Sequence, residues 1–436
     1  MKRLLAVLVA VCCAAGIPAC AGEDYGAQVD ALLARLGSEN IGEMNGAQQA
    51  LFTLCAQASA PGVDGRAAAC EAVASRLAKA TPSARVWMLR QLERIGRAES
   101  VAAVAALLSD NSELVRDAAR RALQNNPAPE AGQALAKALE TADKPVWRVG
   151  LINALAPHAA APSVAPILLK NLASDDDEVR CAAALALART GDKSVIEPLA
   201  GVLGKGSPLA QARATAACLW LGDELCAKGD KAAALTVYKK LFARTGYVKS
   251  AALIGIGRAG GAAELPTIIE AMGDADSGLR GAAVEAVRPV PAKEATPALL
   301  AKLKGASKDL AISILRALGC LGDKAGVPAL AAAAADADEE VRIAALRSLG
   351  SVGDGSAVPA LAKAASAGGN SANVARESLD RISGKDADDA LLACLKDADA
   401  KVRAEAARSM GVRRMSSAVP ALLKMAEESD EATRAA

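Results

Sequence analysis

Apolar residues recur three and four positions apart through most of the 436-residue chain, the spacing that gives a helix one buried stripe. The segment from Asp338 shows the unit. Val341, Ala345 and Leu349 line a first helix, A, with acidic residues suited to its positive end before it and Gly350 and Gly353 to stop it. Asp354 falls in the turn and Ser356 is placed to cap a second helix, B. Pro359 sits in the first turn of B, where a missing amide hydrogen costs nothing. Val358, Leu361 and Ala365 form the stripe of B. A single pair cannot bury both stripes, so successive pairs must stack into one core.

The unit repeats along the chain. Val115-Arg116, Trp147-Arg148, Val179-Arg180, Val248-Lys249, Leu279-Arg280, Val341-Arg342 and Val402-Arg403 each open an alanine-rich helical stretch, and Arg85 and Ala311 fall on the same grid. Neighbouring marks lie 31 or 32 residues apart, with two double intervals of 69 and 61. Pro266, Pro297, Pro328, Pro359 and Pro420 follow the grid by seventeen residues, and Pro166 and Pro198 by eighteen. Asp192, Asp323 and Asp354 follow it by twelve, so the turn between the helices keeps its place as well. Before the grid, helical stretches near 27–36, 44–58 and 66–80, broken at Pro61-Gly62, predict an irregular helical cap over 22–82.

Two such segments, DEEVRIAALRSLGSVGDGSAVPALAKA and DDEVRCAAALALARTGDKSVIEPLAGVL, resemble HEAT repeats of the short bacterial type related to the phycobilin-lyase repeats. The resemblance covers about residues 83–434. It implies an all-α, right-handed α-solenoid of stacked antiparallel helix pairs, HEAT/armadillo-like, with about eleven units over 83–436 and an incomplete last unit at Asp430-Glu431-Ala432-Thr433-Arg434. It also implies a structural ladder between helix A arginines and turn aspartates, placed at Arg180 with Asp192 and at Arg342 with Asp354. Arg116, Arg148, Arg280, Asp323 and Arg403 stand at matching positions. Near 208–246 the unit lengthens, and LGDELCAKGDKAAALTVYKKLFA resembles one tetratricopeptide repeat, with Leu221, Gly222, Ala234 and Tyr238 at that family's spacing. Trp220, Tyr238, Phe242 and Tyr247 gather half of the chain's eight aromatics there.

Residues 1–21 read as a signal peptide: Lys2 and Arg3 precede an apolar run over 4–15, too short to span a bilayer. Ala19-Cys20-Ala21 fits an ordinary cleavage site, whereas Ile17-Pro18-Ala19-Cys20 resembles a lipobox in which Cys20 would carry a lipid, and both readings stand. An exported chain is expected, periplasmic, anchored to the cell envelope or secreted, which meets a membrane only through that N-terminal lipid. An oxidising compartment makes Cys55 and Cys70, either side of the Pro61-Gly62 turn, a candidate disulfide with buried free thiols as the alternative. Cys218 and Cys226, eight apart on one helix and so about 12 Å apart by rise, cannot bridge.

Composition narrows the chemistry. Lysine and arginine number 51 against 49 acids, a net charge of +2 that offers no basic field to a phosphate backbone, so nucleic acid is not an expected partner. His158 is the only histidine, which removes any metal cluster needing two imidazoles, and it is expected in a solvated turn. Gly255-Ile256-Gly257-Arg258-Ala259-Gly260 spells the dinucleotide fingerprint, but its glycines fall where other repeats end helix A and no strand precedes them. Asp175-Asp176-Asp177-Glu178 and Asp336-Ala337-Asp338-Glu339 lack the remainder of a calcium loop and suit helix capping. No catalytic residue, metal or cofactor is expected. The reading is a non-catalytic exported scaffold that holds a protein or extended peptide on a concave face of B helices. Lys137, Lys170, Lys239, Lys240 and Lys302 and the aromatics Trp220 and Tyr238 are its candidate contacts. An accessory segment of a secreted, glycan-directed enzyme and a structural envelope spacer are the alternatives.

Overall fold

The computed structural model describes residues 24–428. The signal-peptide segment with Cys20 and the turn of helix expected at 430–434 lie outside the described residues. All regular elements among the described residues are α- or 3-10 helices, and none is long and apolar enough to cross a membrane. The described residues form two compact units that divide between Ala217 and Cys218, inside the helix Pro208–Ala227.

In the first unit the three expected leading helices are Tyr25–Leu36, Ile41–Ala58 and Arg66–Ala74, the last followed by a 3-10 turn at Leu77–Lys79. Asp24, Asn40 and Thr81 cap helix starts with side-chain oxygens, as short polar residues do. Helix A and helix B then alternate. The A helices include Pro82–Ile95, Glu113–Gln124, Pro145–Leu155 and Asp177–Ala188, and the B helices include Ala98–Ala105, Pro129–Glu140 and Ala165–Leu172.

The second unit repeats the scheme. In the Arg342 repeat, helix A runs Glu339–Val352 and ends at Gly353, whose φ of 73° is the left-handed value that lets a chain leave a helix. Ser356 does not cap helix B directly as expected. It lies in a 3-10 turn, Gly355–Ala357, that Asp354 caps by accepting from the Ser356 amide, and B follows as Val358–Ser366 with Pro359 in its first turn. The same 3-10 entry precedes Ile196–Ala200, Val327–Ala333 and Val419–Glu428. The Arg280 repeat departs from it: helix B starts early, at Ala292, which leaves Pro297 inside Ala292–Leu303.

Leucine, isoleucine and valine from both helices fill the interior, among them Ile314, Leu318, Leu346, Leu349 and Leu361. Small residues set how closely the A helices approach. A Cβ on Gly319 would lie 2.7 Å from the Ser348 side chain, and one on Gly350 would lie 2.7 Å from that of Ser378, so at these two junctions helix A meets the next through a glycine–serine contact.

Ion pairs link neighbouring repeats at the surface. Arg376 and Arg408 both bond Glu405, and Arg408 also holds Asp380 at 3.0 Å. Partial burial raises the Glu405 carboxyl, and the hydrogen bonds and charges of the two arginines more than offset that, holding it below its ordinary 4.5. A carboxyl depressed in the folded state stabilises fully above its unfolded pKa and loses that contribution as pH falls through the folded value. Stability from urea denaturation is therefore expected to fall from pH 5 downward. Glu405→Gln should flatten part of that slope, and an unchanged slope would remove Glu405 as a source.

Candidate functional site

The grid arginines have a shared local role. Arg116, Arg180, Arg280, Arg342 and Arg403 each turn Nη1 back onto two carbonyls, six and five residues earlier, in the loop that leads into their own helix. The distances run from 2.7 to 3.3 Å. The residue six before the arginine is Asp110, Ser174, Asp274, Asp336 or Asp397, and its side chain accepts the amide two residues on, which fixes the loop for the guanidinium. A pattern of Asp or Ser, one spacer, Asp or Ser, three spacers and Arg runs through all five units and was the available signal.

This corrects the expected ladder. Arg180 bonds Asp177 and the Ser174 and Asp175 carbonyls, while Asp192 caps its own turn through the Ser194 amide. Arg342 likewise does not reach Asp354, which accepts from Ser356 and pairs at 3.3 Å with Lys324 of the preceding repeat. Asp323 caps Ala325. Arg148, which lacks the Asp-x-Asp loop, reaches Asn171 at 2.7 Å instead. The physical reason is proximity: the loop carbonyls lie beside the start of the arginine's own helix, and the turn aspartates face the amides two residues on. The acidic runs at 175–178 and 336–339 are part of the same caps, Asp176 on Val179 and Asp338 on Glu340 and Val341.

The aromatics around Trp220 do not form one surface. Tyr238 is buried, donating its hydroxyl to Asp223 at 2.7 Å, and Asp223 also takes Arg258 at 2.8 Å. Burial, and then the hydrogen bond to Asp223, push the phenol well above its ordinary value. The ring lies between two glycines: a Cβ on Gly222 would come within 2.7 Å of it and one on Gly255 within 2.4 Å. A Cβ on Gly257 would meet the Ala286 carbonyl oxygen at 1.9 Å. Room for a ring and for a neighbouring backbone accounts for glycine at 255 and 257 of the false dinucleotide fingerprint. Phe242 lies under Lys249, whereas Trp220 and Tyr247 are exposed. Trp220 donates to Glu224 at 2.9 Å on its own helix.

Lys239 is exposed and pairs at 2.7 Å with the carboxylate of buried Glu264. Lys240 is half-buried and engaged, and Lys137, Lys170 and Lys302 are exposed. His158 is not a free loop residue. Its Nε2 lies 3.1 Å from the Leu123 carbonyl, and its ring rests against Gly132. Cys55 and Cys70 are buried free thiols in place of the candidate disulfide. Burial pushes the Cys55 thiol up to about 12, with Cys70 adding to the shift, while Cys70 turns to Ser100 and the Arg97 backbone. Cys218 and Cys226 are likewise unbridged.

An open groove of about 1040 Å³ lies in the first unit. Val115, Val179, Leu279, Val341 and Val402 are buried at the position before the grid residue, whereas Trp147 is only half-buried, because an indole exceeds the slot that valine fills. The groove opens beside it. Ala102, Ala105, Ala134 and Ala138 give it a low floor, Trp147 and Val146 form one wall, and Lys137 and Lys144 stand on its rim without an ion pair among the described residues.

Comparison with known proteins identifies the class. The HEAT-repeat family pattern matches residues 70–156, 142–220, 165–235, 296–380 and 387–436, more than half of the chain. The chain belongs to the HEAT-repeat family. Among solved structures it is similar to the karyopherin Kap121p bound to the SUMO protease Ulp1p, at 14% identity and a TM-score of 0.52, over 94% of this chain and 52% of that one. It is also similar to Kap121p bound to the extreme C-terminus of the protein phosphatase Cdc14p, at 13% identity and a TM-score of 0.52, over 95% and 52%. The chain thus spans about half the length of these karyopherins, and the likeness is one of fold. No curated protein matches the sequence.

Proposed function

We propose that this protein is an exported, non-catalytic scaffold that binds a protein or an extended peptide. The groove at Trp147 carries the reading: a tryptophan wall over an alanine floor, bordered by unpaired lysines, offers a desolvated anchor point with a polar rim, the anatomy of a binding hot spot. Repeat proteins expose such surfaces because each unit spends its apolar stripe on its neighbours and leaves its loops and outer helix faces free. The HEAT fold adds an analogy, since the karyopherin structures it resembles hold a protease and a phosphatase tail. Export rests on Lys2, Arg3 and the apolar run over 4–15.

Chemical cross-linking followed by capture from envelope extract, using the chain without its first 21 residues, tests the scaffold. One stoichiometric protein is expected with the unaltered sequence, and Trp147→Ala should weaken its affinity about tenfold or more, as loss of a central aromatic anchor does. Absence of any stoichiometric protein would overturn the reading. Intact mass of the chain from its native cell tests export separately, because a retained Met1 would remove it.

A further inference from the structure

A second cavity, about 310 Å³, lies in the other unit across three successive A helices, Ser277–Val287, Lys308–Leu321 and Glu339–Val352. It opens at Gly281, where an added Cβ would have nothing within 4 Å. Ile312 and Ile343, one and two periods further on, are half-buried beside it. The carboxylates that line it are already matched. Asp309 faces Arg280 at 3.6 Å, and Glu340 takes Lys308 at 2.9 Å, which also meets Asp338 at 3.0 Å. Arg280 is further held by the carbonyls of its own loop.

Arg316 and Arg347 are different. They occupy the same position on adjacent A helices, are exposed, and their guanidiniums have neither a hydrogen bond nor an ion pair among the described residues. Packed helices lie roughly 8–10 Å apart, so two unneutralised arginines rise from neighbouring backbones at about that separation, next to an apolar strip. A guanidinium fork matches a carboxylate bidentately, and such charge-assisted bonds are the strong ones at a partly desolvated surface.

We propose that this cavity docks an acidic, extended segment of a protein partner, with carboxylates on Arg316 and Arg347 and an aliphatic side chain on Ile312 and Ile343. The proposal rests on the scaffold reading and adds the chemistry of the partner. A peptide fits better than a nucleic acid. The chain carries a net charge of only +2, and Asp309, Asp338 and Glu340 around the cavity would repel a continuous phosphate backbone, whereas two spaced carboxylates can avoid them.

Fluorescence anisotropy on the full chain provides the test, with a short labelled peptide of glutamate and leucine as probe. Its glutamine counterpart, its phosphoserine counterpart and a single-stranded oligonucleotide of equal charge are the comparisons. The glutamate peptide is expected to bind, to weaken with salt, and to exceed the glutamine peptide about tenfold or more. Arg316→Glu with Arg347→Glu should abolish the preference and Arg316→Gln with Arg347→Gln should reduce it, both with unchanged circular dichroism, because both side chains are exposed. Equal binding of the two peptides, indifference to both double variants, or tighter binding of phosphoserine or oligonucleotide would overturn it. Trp147→Ala separates the two proposals. A partner captured through the Trp147 groove alongside an unbound glutamate peptide refutes the docking site and leaves the scaffold standing, and failure of both assays refutes both.

Discussion

Replacing Gly257 by alanine is expected to cost about 3 kcal/mol of stability, the upper range for forcing a methyl group into filled space. The new Cβ would lie 1.9 Å from the Ala286 carbonyl oxygen, with the Ala286 carbonyl carbon and Cα at 2.7 and 2.9 Å. All three are backbone atoms of the next helix A, so no side chain can swing aside and the two helices must separate. Gly281 gives the control. It too is helical, but an added Cβ meets nothing within 4 Å, and Gly281→Ala should stabilise by about 0.5–1 kcal/mol through the lower entropy of the unfolded chain. Opposite signs for two Gly→Ala changes in one protein, read from urea denaturation midpoints at constant m-value, would establish that helix contact rather than helix propensity places glycine at 257. A loss under about 1 kcal/mol at 257 would contradict it.

Tyr238→Ala is expected to cost about 3–5 kcal/mol, the range for emptying a large buried aromatic site. Its walls are ill-suited to collapse, since Gly222 and Gly255 have no side chains with which to fill the space. Tyr238→Phe keeps the ring and removes only the bond to Asp223, which retains Arg258, so about 1 kcal/mol is expected. Thermal or urea unfolding of both variants tests the split. A Phe variant as damaged as the Ala variant would shift the weight from ring packing to the hydroxyl.

Periodicity gave the stacked helix pairs, because each unit buries a stripe whose spacing is fixed by the helix itself, and the resemblance to HEAT repeats supplied the solenoid. The turn glycine at 353 and the first-turn Pro359 were legible for the same reason: their conformational demands are local. The arginine ladder was misjudged because a guanidinium can be satisfied by backbone oxygens, which leave no mark in the amino-acid alphabet. The only trace was the loop residue that shapes those oxygens, as at Asp336 before Arg342 and Asp397 before Arg403. Tyr238 read as a surface aromatic because the glycines that accommodate it come from two other helices: the tetratricopeptide spacing links Gly222 to Tyr238, but nothing in the sequence links Gly255 to them. Trp147 passed as one more grid residue, because whether an oversized side chain is squeezed in or opens the stack depends on its neighbours in space.

The arginine anchors bear on how such a chain can change its length. A ladder of charges running from repeat to repeat would require every insertion to bring a matching partner on each side. An arginine that grips carbonyls within its own seven-residue stretch, from Asp336 to Arg342 or Asp397 to Arg403, has no such requirement. Each stretch is a self-sufficient cassette, and a duplicated or deleted repeat arrives with its loop already fastened. What must match across a new junction is then a small residue where two A helices touch, as at Gly319 and Gly350, together with surface ion pairs such as Arg376 with Glu405.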